Sequence, residues 1–201
     1  MIQKIFLKQI NKAKARYDRP KSTSIRTQTL SCNYRATLNP IDSMAPAQIH
    51  IYTDGSALGN PGPGGYGIII ELVGKQYFKE YAQGFAHTTN NRMELLAVIV
   101  GLETLKKQPM DVVVFSDSKY VIDSVEKKWV FGWKAKNFKG KKNPDLWKRF
   151  LTIYALHNVR FQWVKGHNDH PQNERCDRLA VNAAKTGSKE KDVFFEKESK
   201  K

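Results

Sequence analysis

The sequence lacks the features of a disulfide-stabilised or membrane-spanning protein. Its 201 residues include only two cysteines, Cys32 and Cys176, which lie far apart and outside any Cys-x-x-Cys pattern. A disulfide framework and a cysteine-rich zinc site are therefore excluded, and a reducing compartment is expected. No apolar run approaches the roughly 18 residues that a membrane-crossing helix needs, so such a helix is excluded as well.

Acidic residues are also scarce, because 19 Asp and Glu stand against 34 Lys and Arg, which gives a formal net charge of +15. An excess of this size indicates a polyanionic partner, either nucleic acid or an anionic membrane surface. The excess is local. Residues 127–149 hold nine basic residues and the single acid Asp145, and residues 1–43 hold nine basic and two acidic residues. The sequence therefore predicts one strongly basic surface on an otherwise near-neutral domain.

Composition divides the chain into three parts. Residues 1–43 contain no Gly or Trp and too few apolar residues for a core, so we interpret them as a basic, disordered N-terminal extension. Two alternatives remain open for this extension: an organellar presequence, or translation from an upstream start with Met44 as the natural first residue. Residues 44–185 are predicted to form the folded domain. Residues 186–201 are predicted to be a charged flexible tail, in which Phe194 and Phe195 could dock.

The hydrophobic pattern of the central part predicts a mixed α/β domain. Strands are predicted at 49–54, 67–73, 77–85, 111–117 and 159–164, and helices at 90–107, 118–128, 144–157 and 173–185. Three strands, a helix, and then alternating strands and helices are typical of a sheet that is covered by helices.

Four carboxylates occupy places where a site on a sheet would need them: Asp54, Glu94, Asp117 and Asp177. Taken singly, Asp117 and Asp177 are more simply explained as turn or helix-capping residues. Asp54 is different, because a carboxylate inside an apolar strand needs a compensating charge. If the four converge, bound cations would relieve their repulsion, and oxygen ligands favour Mg²⁺ or Mn²⁺ over zinc. Spacing alone does not establish that they converge.

Five blocks of sequence, in order, resemble the type 1 ribonuclease H family. They are Tyr52-Thr53-Asp54-Gly55-Ser56 with its continuation to Gly67, Thr88-Thr89-Asn90-Asn91-Arg92-Met93-Glu94, Ser116-Asp117-Ser118, Trp163-Val164-Lys165-Gly166-His167 and Asn173-Glu174-Arg175-Cys176-Asp177. The resemblance implies a ribonuclease H-like fold with a mixed five-stranded sheet. It also implies an endonuclease that hydrolyses the RNA strand of RNA–DNA hybrids by a two-metal-ion mechanism, which leaves 5′-phosphate and 3′-hydroxyl ends.

The resemblance assigns catalytic roles to five residues. Asp54, Glu94, Asp117 and Asp177 are implied to bind two Mg²⁺ ions, for which Mn²⁺ can substitute, with Asp54 bridging both ions. His167 is implied to assist proton transfer or product release, although a lone loop histidine is more often plain surface. His170 is interpreted as such a surface residue.

The resemblance also implies a surface that binds the hybrid. Asn60, Asn90 and Asn91 match positions that read the minor groove, where the 2′-hydroxyl distinguishes RNA from DNA, and Thr89 with Asn60 resembles a phosphate pocket. An N-cap role for Asn90 is an alternative that can coexist. The predicted contacts also include Ser118, Lys119, Trp129, Trp133, Lys134, Lys136, Lys139 and Asn143.

The stretch 127–143 resembles the basic protrusion of the family, in which lysines contact phosphates and tryptophans lie against sugars. A solvated charged surface is the simpler alternative, but interleaved aromatics favour binding. Two residues depart from the family pattern: Lys119 stands where other members have Gln, and Phe138 where some have Trp. Gly62, Gly64 and Gly67 are interpreted as a hairpin loop that lets a nucleic-acid backbone approach closely.

Two other function classes compete with this interpretation. Another nuclease or strand-transfer protein on the same fold would keep the carboxylates but lack the asparagines and the basic protrusion. A catalytically silent hybrid-binding module is expected to have lost a carboxylate, and all four are present. We therefore expect a cytoplasmic, monomeric enzyme that acts on RNA–DNA hybrids, needs no obligatory protein partner and does not bind a membrane. An organellar location is the alternative if residues 1–43 act as a presequence.

Overall fold

A computed structural model describes residues 48–75, 77–166, 170–187 and 189–199. The strands are β1 (Ile49–Ala57), β2 (Gly62–Leu72), β3 (Phe78–Thr88), β4 (Asp111–Ser116), β5 (Asn158–Trp163) and β6 (Lys189–Glu190). The helices are α1 (Asn90–Glu103), α2 (Lys119–Glu126), α3 (Trp129–Ala135), α4 (Pro144–Tyr154), α5 (Pro171–Thr186) and α6 (Val193–Glu198). No helix within these ranges is long and apolar enough to cross a membrane. The predicted N-terminal extension, 1–43, lies outside the described residues.

The strands form one mixed sheet in the order β5-β4-β1-β2-β3-β6. β1, β2 and β3 pair antiparallel, whereas β4 pairs parallel with both β1 and β5. This confirms the predicted α/β architecture of three antiparallel strands followed by alternating strands and helices. The sheet has six strands rather than five, because the short β6 pairs parallel with β3.

Side-chain alternation in β1 supplies a core on each face of the sheet. Ile51 contributes to the larger core, which includes α1 and α4, and Tyr52 contributes to the smaller core, where α5 packs. Ten of the fourteen residues of α1 are buried, which explains why its sequence is apolar around most of its circumference. The next inward position on the α5 face after Tyr52 is Asp54, so the sheet itself places this carboxylate in the interior.

The glycine-rich stretch belongs to β2, and its interpretation as a hairpin loop that approaches nucleic acid is wrong. A Cβ atom at Gly67 would lie 2.2 Å from the carbonyl oxygen of Cys176, and one at Gly65 would lie 2.7 Å from the carbonyl oxygen of Ala180. The missing side chains therefore admit the backbone of α5 onto the sheet. The strand begins at Gly62, five residues earlier than predicted. At Gly62 and Gly64 the space of a side chain is filled by the Leu58 carbonyl oxygen and by Thr88, so the protein itself and not a ligand occupies the space at these glycines.

The basic stretch contains a helix that the sequence pattern did not predict. α3 spans Trp129–Ala135, and Phe138 just beyond it is only 5% exposed within the larger core. Phe138 adopts a positive φ of 57°. The stretch is thus fixed to the domain by buried aromatic side chains, while its lysines remain at the surface.

The C-terminal segment is docked in its described part, which corrects the prediction of a flexible tail over 186–201. Asp192 accepts hydrogen bonds from Arg92 Nε at 2.6 Å and Nη2 at 2.8 Å, and from Thr88 Oγ1 at 2.8 Å. The other edge of the Arg92 guanidinium donates to both carboxylate oxygens of Asp145, at 2.8 and 2.9 Å. Arg92 is 2% exposed and Asp192 is 7% exposed. A buried cation between two carboxylates therefore joins α1, α4 and the C-terminal segment.

Aromatic rings pack over the buried guanidinium of Arg92. The guanidinium carbon lies 5.6 Å from the ring centroid of Phe194 and 5.8 Å from that of Phe195. Asp192 also caps α6 by accepting a hydrogen bond from the Phe195 backbone amide. The predicted docking of this aromatic pair is therefore found, and the partner that the sequence pattern did not reveal is Arg92.

We predict that Asp192→Ala lowers the free energy of unfolding by about 2–4 kcal/mol, because it leaves a buried guanidinium with one carboxylate instead of two. Urea unfolding followed by circular dichroism measures the change. Glu103→Ala is the matched control, because it breaks a bidentate pair with Arg149 at the exposed surface and should cost below about 1 kcal/mol. Equal losses in the two variants would contradict a stabilising role for the buried Arg92–Asp192 ion pair.

Candidate active site

Asp54 stands inside β1 and is 9% exposed. Its Oδ1 accepts a hydrogen bond from the Gly55 backbone amide at 2.7 Å. A Cβ atom on Gly55 would lie 2.1 Å from the backbone nitrogen of Glu94. Because Gly55 has no side chain, α1 can approach β1 at this point. This approach brings Glu94 close to Asp54.

Glu94 is held by two neighbouring side chains. Asn90 Nδ2 donates to its Oε1 at 2.9 Å, and Ser118 Oγ donates to its Oε2 at 2.5 Å. Ser118 also accepts from the amide of Val121, so it caps α2 while it orients the carboxylate. The carboxylate of Glu94 is thereby fixed between the first turns of α1 and α2.

Asp117 follows the last residue of β4 and is held by two hydrogen bonds. Its Oδ2 accepts from Asn173 Nδ2 at 3.4 Å, and its carbonyl oxygen accepts from Trp163 Nε1 at 3.2 Å. A Cβ atom on Gly166 would lie 2.7 Å from Asp117 Oδ2. The glycine therefore lets the loop after β5 pass close to the carboxylate without displacing it.

The capping interpretations of three predicted residues are wrong. The N-cap of α2 is Ser118, not Asp117, and the N-cap of α5 is His170, whose ring nitrogen accepts from the Asn173 amide. Asp177 lies in the seventh position of α5, well past its start. The N-cap of α1 is Thr89, so Asn90 is free to hold Glu94. Neither Asp117 nor Asp177 is thus needed to cap a helix.

The electrostatics of the site show that the four carboxylates are close enough to interact. Burial raises the pKa of Asp54 to about 8, and repulsion from Asp117, Asp177 and Glu94 adds to the shift, against the opposing hydrogen bond from Gly55. Burial also raises the pKa of Glu94, with Asp117 contributing in the same direction. In the described part of the chain, all the side chains that shift the pKa of Asp54 are acidic. The site there is therefore a cluster of like charges without compensation from neighbouring cationic side chains.

This donor set fits hard divalent cations, because it consists of carboxylate oxygens and its charge requires compensation. Within the described ranges, no three His, Cys, Asp or Glu side chains stand ready to hold an ion as they lie. The carboxylates would therefore have to close further around a cation. His167 lies outside the described residues.

The predicted minor-groove residues gather beside Glu94. The backbone amide of Asn90 donates to Asn60 Oδ1 at 3.2 Å, which joins the β1–β2 loop to the start of α1. Asn91 is exposed next to them. Asn143 lies behind this group, where its amide donates to the Tyr120 hydroxyl and accepts from Arg92 Nη1. The structure thus brings together Asn60, Asn90 and Asn91, but uses Asn143 partly as a structural link.

The basic stretch presents its lysines away from the core. Lys134, Lys136 and Lys139 are exposed, and no described carboxylate pairs with them. Trp129 is 47% exposed, whereas Trp133 is half-buried with its ring 5.7 Å from that of Trp147. Trp129 is therefore available to a ligand, and Trp133 mainly anchors the helix. Among the described residues, this stretch and the carboxylates share no hydrogen bond or ion pair.

Three further residues support the site although their motifs did not single them out. Trp163 binds the backbone of Asp117, Tyr120 accepts from both Asn143 and Trp147, and Arg92 joins α1 to α4. Each lies next to a predicted site residue in sequence or in space. Only Arg92 could have been noticed from the sequence alone, because it is a charged residue within an otherwise apolar helix. His170, interpreted as surface, instead caps α5 and packs 5.5 Å from the ring of Tyr52.

Comparisons with known proteins agree with this geometry. The RNase H family model matches residues 46–185. A ribonuclease H from Desulforamulus reducens is 54% identical over 143 residues, which cover 69% of this chain and 88% of that protein.

Solved structures give the same answer. LC9-RNase H1, described as a type 1 RNase H with the type 2 active-site motif, aligns with a TM-score of 0.65 and 32% identity, covering 72% of this chain and 75% of the other. LC11-RNase H1, solved in complex with an RNA/DNA hybrid, aligns with a TM-score of 0.52 and 29% identity, covering 68% and 96%. The chain therefore belongs to the ribonuclease H family of endoribonucleases, and its structural relatives are of type 1.

Proposed function

We propose that this ribonuclease H hydrolyses the RNA strand of RNA–DNA hybrids with two divalent cations, leaving 5′-phosphate and 3′-hydroxyl ends. The observation that carries the proposal is the buried position of Asp54, where Gly55 brings the backbone of Glu94 against the strand and where the charges of Asp117, Asp177 and Glu94 act on Asp54. A site of this charge repels phosphate unless cations are present, and two hard cations suit phosphodiester cleavage. The hybrid seen with LC11-RNase H1 supports the substrate.

Asp54, Glu94, Asp117 and Asp177 would hold the cations, with Mg²⁺ favoured and Mn²⁺ able to substitute. When bound, the cations would supply the activation of water and the stabilisation of the leaving oxygen. The chain itself orients the ligands: Asn90 and Ser118 fix both oxygens of Glu94, and Asn173 holds one oxygen of Asp117. His167 is proposed to assist proton transfer or product release.

Substrate selection is proposed to rest on two surfaces. Asn60, Asn90 and Asn91 lie beside Glu94 and offer amides that both donate and accept, which suits recognition of a 2′-hydroxyl. Trp129 and the exposed lysines of α3 and the residues just after it offer a sequence-independent backbone contact. Neutral groups next to the carboxylates would thus identify the strand to be cut, and the basic surface would supply affinity.

We further propose a monomer that acts in a reducing compartment, the cytoplasm. Cys176 is a buried free thiol, which supports a reducing environment.

Asp54→Asn should lower kcat at least about a thousandfold, because it removes a cation ligand. Hybrid affinity in EDTA should stay equal below the raised pKa of about 8, where Asp54 is protonated, and should improve above it, where the substitution removes a negative charge. Cleavage of labelled hybrid, double-stranded RNA and double-stranded DNA with and without Mg²⁺ measures the first effect. Filter binding in EDTA measures the second. Asp123→Asn is the matched control, since this acid pairs with Lys127 at the exposed surface of α2. Near-normal turnover of Asp54→Asn would refute the two-cation assignment.

The raised pKa of Asp54 predicts an unusual dependence of stability on pH. Between its usual value near 3.8 and about 8, the folded protein binds a proton that the unfolded chain has released. The free energy of unfolding of the metal-free protein should therefore fall as pH rises through this window, by about 1–3 kcal/mol. Glu94 contributes in the same direction.

Urea unfolding in EDTA at pH 5.5 and 8.5 measures this decrease, and Mg²⁺ should restore stability at pH 8.5. Asp54→Asn should remove most of both effects. The same pH slope in the wild type and the variant, or no stabilisation by Mg²⁺, would count against a cation-binding cluster at Asp54.

Replacing Lys134, Lys136 and Lys139 with Ala should raise KM with little change in kcat, because these lysines lie away from the carboxylates. The slope of log Kd against log salt should flatten by about 0.7–0.9 for each phosphate that the protein no longer binds. Replacing Lys75, Lys106 and Lys107, which are on other surfaces, is the matched control. A slope that does not change would mean that the three lysines only face solvent.

A further inference from the structure

Lys119, one of the residues predicted to contact the hybrid, pairs with a tryptophan beside the carboxylates. Lys119 begins α2, and its Nζ lies 5.4 Å from the centroid of the Trp163 ring at the end of β5. Lys119 is exposed, and Trp163 is 46% exposed. Lys119 stands two residues after Asp117, yet in the described part of the chain it forms no ion pair with a carboxylate. The Lys119 ammonium therefore contacts an aromatic ring and not a carboxylate, although an acidic site lies next to it.

The ring of Trp163 is held firmly in this place. Its Nε1 donates to the carbonyl oxygen of Asp117 at 3.2 Å, so the polar edge of the indole is satisfied by the backbone of a predicted cation ligand. The register of β4 and β5 pairs Ser116 with Trp163, and the amide of Val164 donates to the carbonyl oxygen of Ser116 at 3.0 Å. With its N–H bonded and its backbone in the sheet, the indole is fixed in position, and the exposed part of its apolar surface is accessible to a ligand.

We propose that Lys119 and Trp163 form a phosphate clamp for the strand that is cut. The ammonium contacts a backbone phosphate next to the one at the carboxylates, and the exposed part of the indole packs against the neighbouring sugar. This inference rests on the proposed function and deepens it. It also distinguishes this chain from relatives, because the family resemblance places Gln at this position, and an amide carries no charge for a phosphate.

The geometry explains why a lysine is tolerated two residues from Asp117. A lysine that paired with the carboxylates would neutralise them and compete with cations. The aromatic face of Trp163 offers the ammonium another partner, and that contact is weak enough at an exposed position to be exchanged for a phosphate. The clamp is therefore placed beside the cluster without becoming part of it.

The test measures affinity for a labelled RNA–DNA hybrid in EDTA from low to moderate salt, so that cleavage does not interfere. Lys119→Gln should weaken binding about three- to tenfold near 0.1 M salt and flatten the slope of log Kd against log salt by about 0.7–0.9. Lys119→Arg should restore both. Lys79→Gln is the matched control, because Lys79 also lies over an aromatic ring, that of Tyr77, but on the β2–β3 hairpin.

Trp163→Leu, made in the wild type and in Lys119→Gln, tests whether the two side chains act together. Its effect on Kd should be clearly smaller in the Lys119→Gln background, since one contact depends on the other. Circular dichroism establishes that each variant is folded. If Trp163→Leu does not fold, the Lys119 variants decide the phosphate contact on their own.

A salt slope of Lys119→Gln equal to that of the wild type would overturn the clamp, as would an equal drop in Lys79→Gln. Either result leaves the proposed function standing if the wild type binds and cuts hybrid. Failure of the wild type to cut hybrid in Mg²⁺ would instead refute the proposed function, whatever the slopes show.

Discussion

A buried carboxylate surrounded by other carboxylates is the constraint around which this domain is arranged. Asp54 projects from an interior strand, and burial together with Asp117, Asp177 and Glu94 raises its pKa to about 8. Holding such a group in place requires close backbone contacts. Gly55 lets α1 reach the strand, and Gly166 lets the loop after β5 pass Asp117. The glycines, the two strand ends and the helix start are thus explained by one cluster of acidic side chains.

A second buried charge, two residues along α1 from Glu94, shows the opposite arrangement. Arg92 is fully compensated, with Asp145 on one edge of its guanidinium and Asp192 on the other. This pairing fixes the first turn of α1 against α4 and the C-terminal segment. The compensated cluster therefore supplies the rigidity that the uncompensated cluster lacks, because repulsion at Glu94 acts on a helix end that is already tied at Arg92. The residue that stabilises the start of α1, Arg92, and the predicted cation ligand, Glu94, are thus only two positions apart in the helix.

Much of this arrangement could be predicted from sequence, and the failures share a physical cause. The strand pattern was identified from local alternation, whereas the four carboxylates were assigned by the resemblance of short local motifs to the family. The start of β2, the docking of Asp192 and helix α3 were missed because each depends on distant partners: Cys176 above Gly67, Arg92 facing Asp192, and the core around Phe138. Glycine and charge patterns indicate that a close contact exists but do not say which group makes it.

The separation of basic and acidic surfaces has a consequence for how substrate arrives. The acidic cluster repels a phosphate backbone, whereas the basic stretch 127–149, with a net charge of +8, attracts it. At physiological salt, exposed charges act over only about 8 Å, so each surface controls its own part of a bound duplex. In the proposed function, affinity from the basic stretch would then hold a hybrid even before cations are bound. Strand selection would be left to the neutral asparagines beside Glu94, because a phosphate is identical on both strands and only the 2′-hydroxyl distinguishes them.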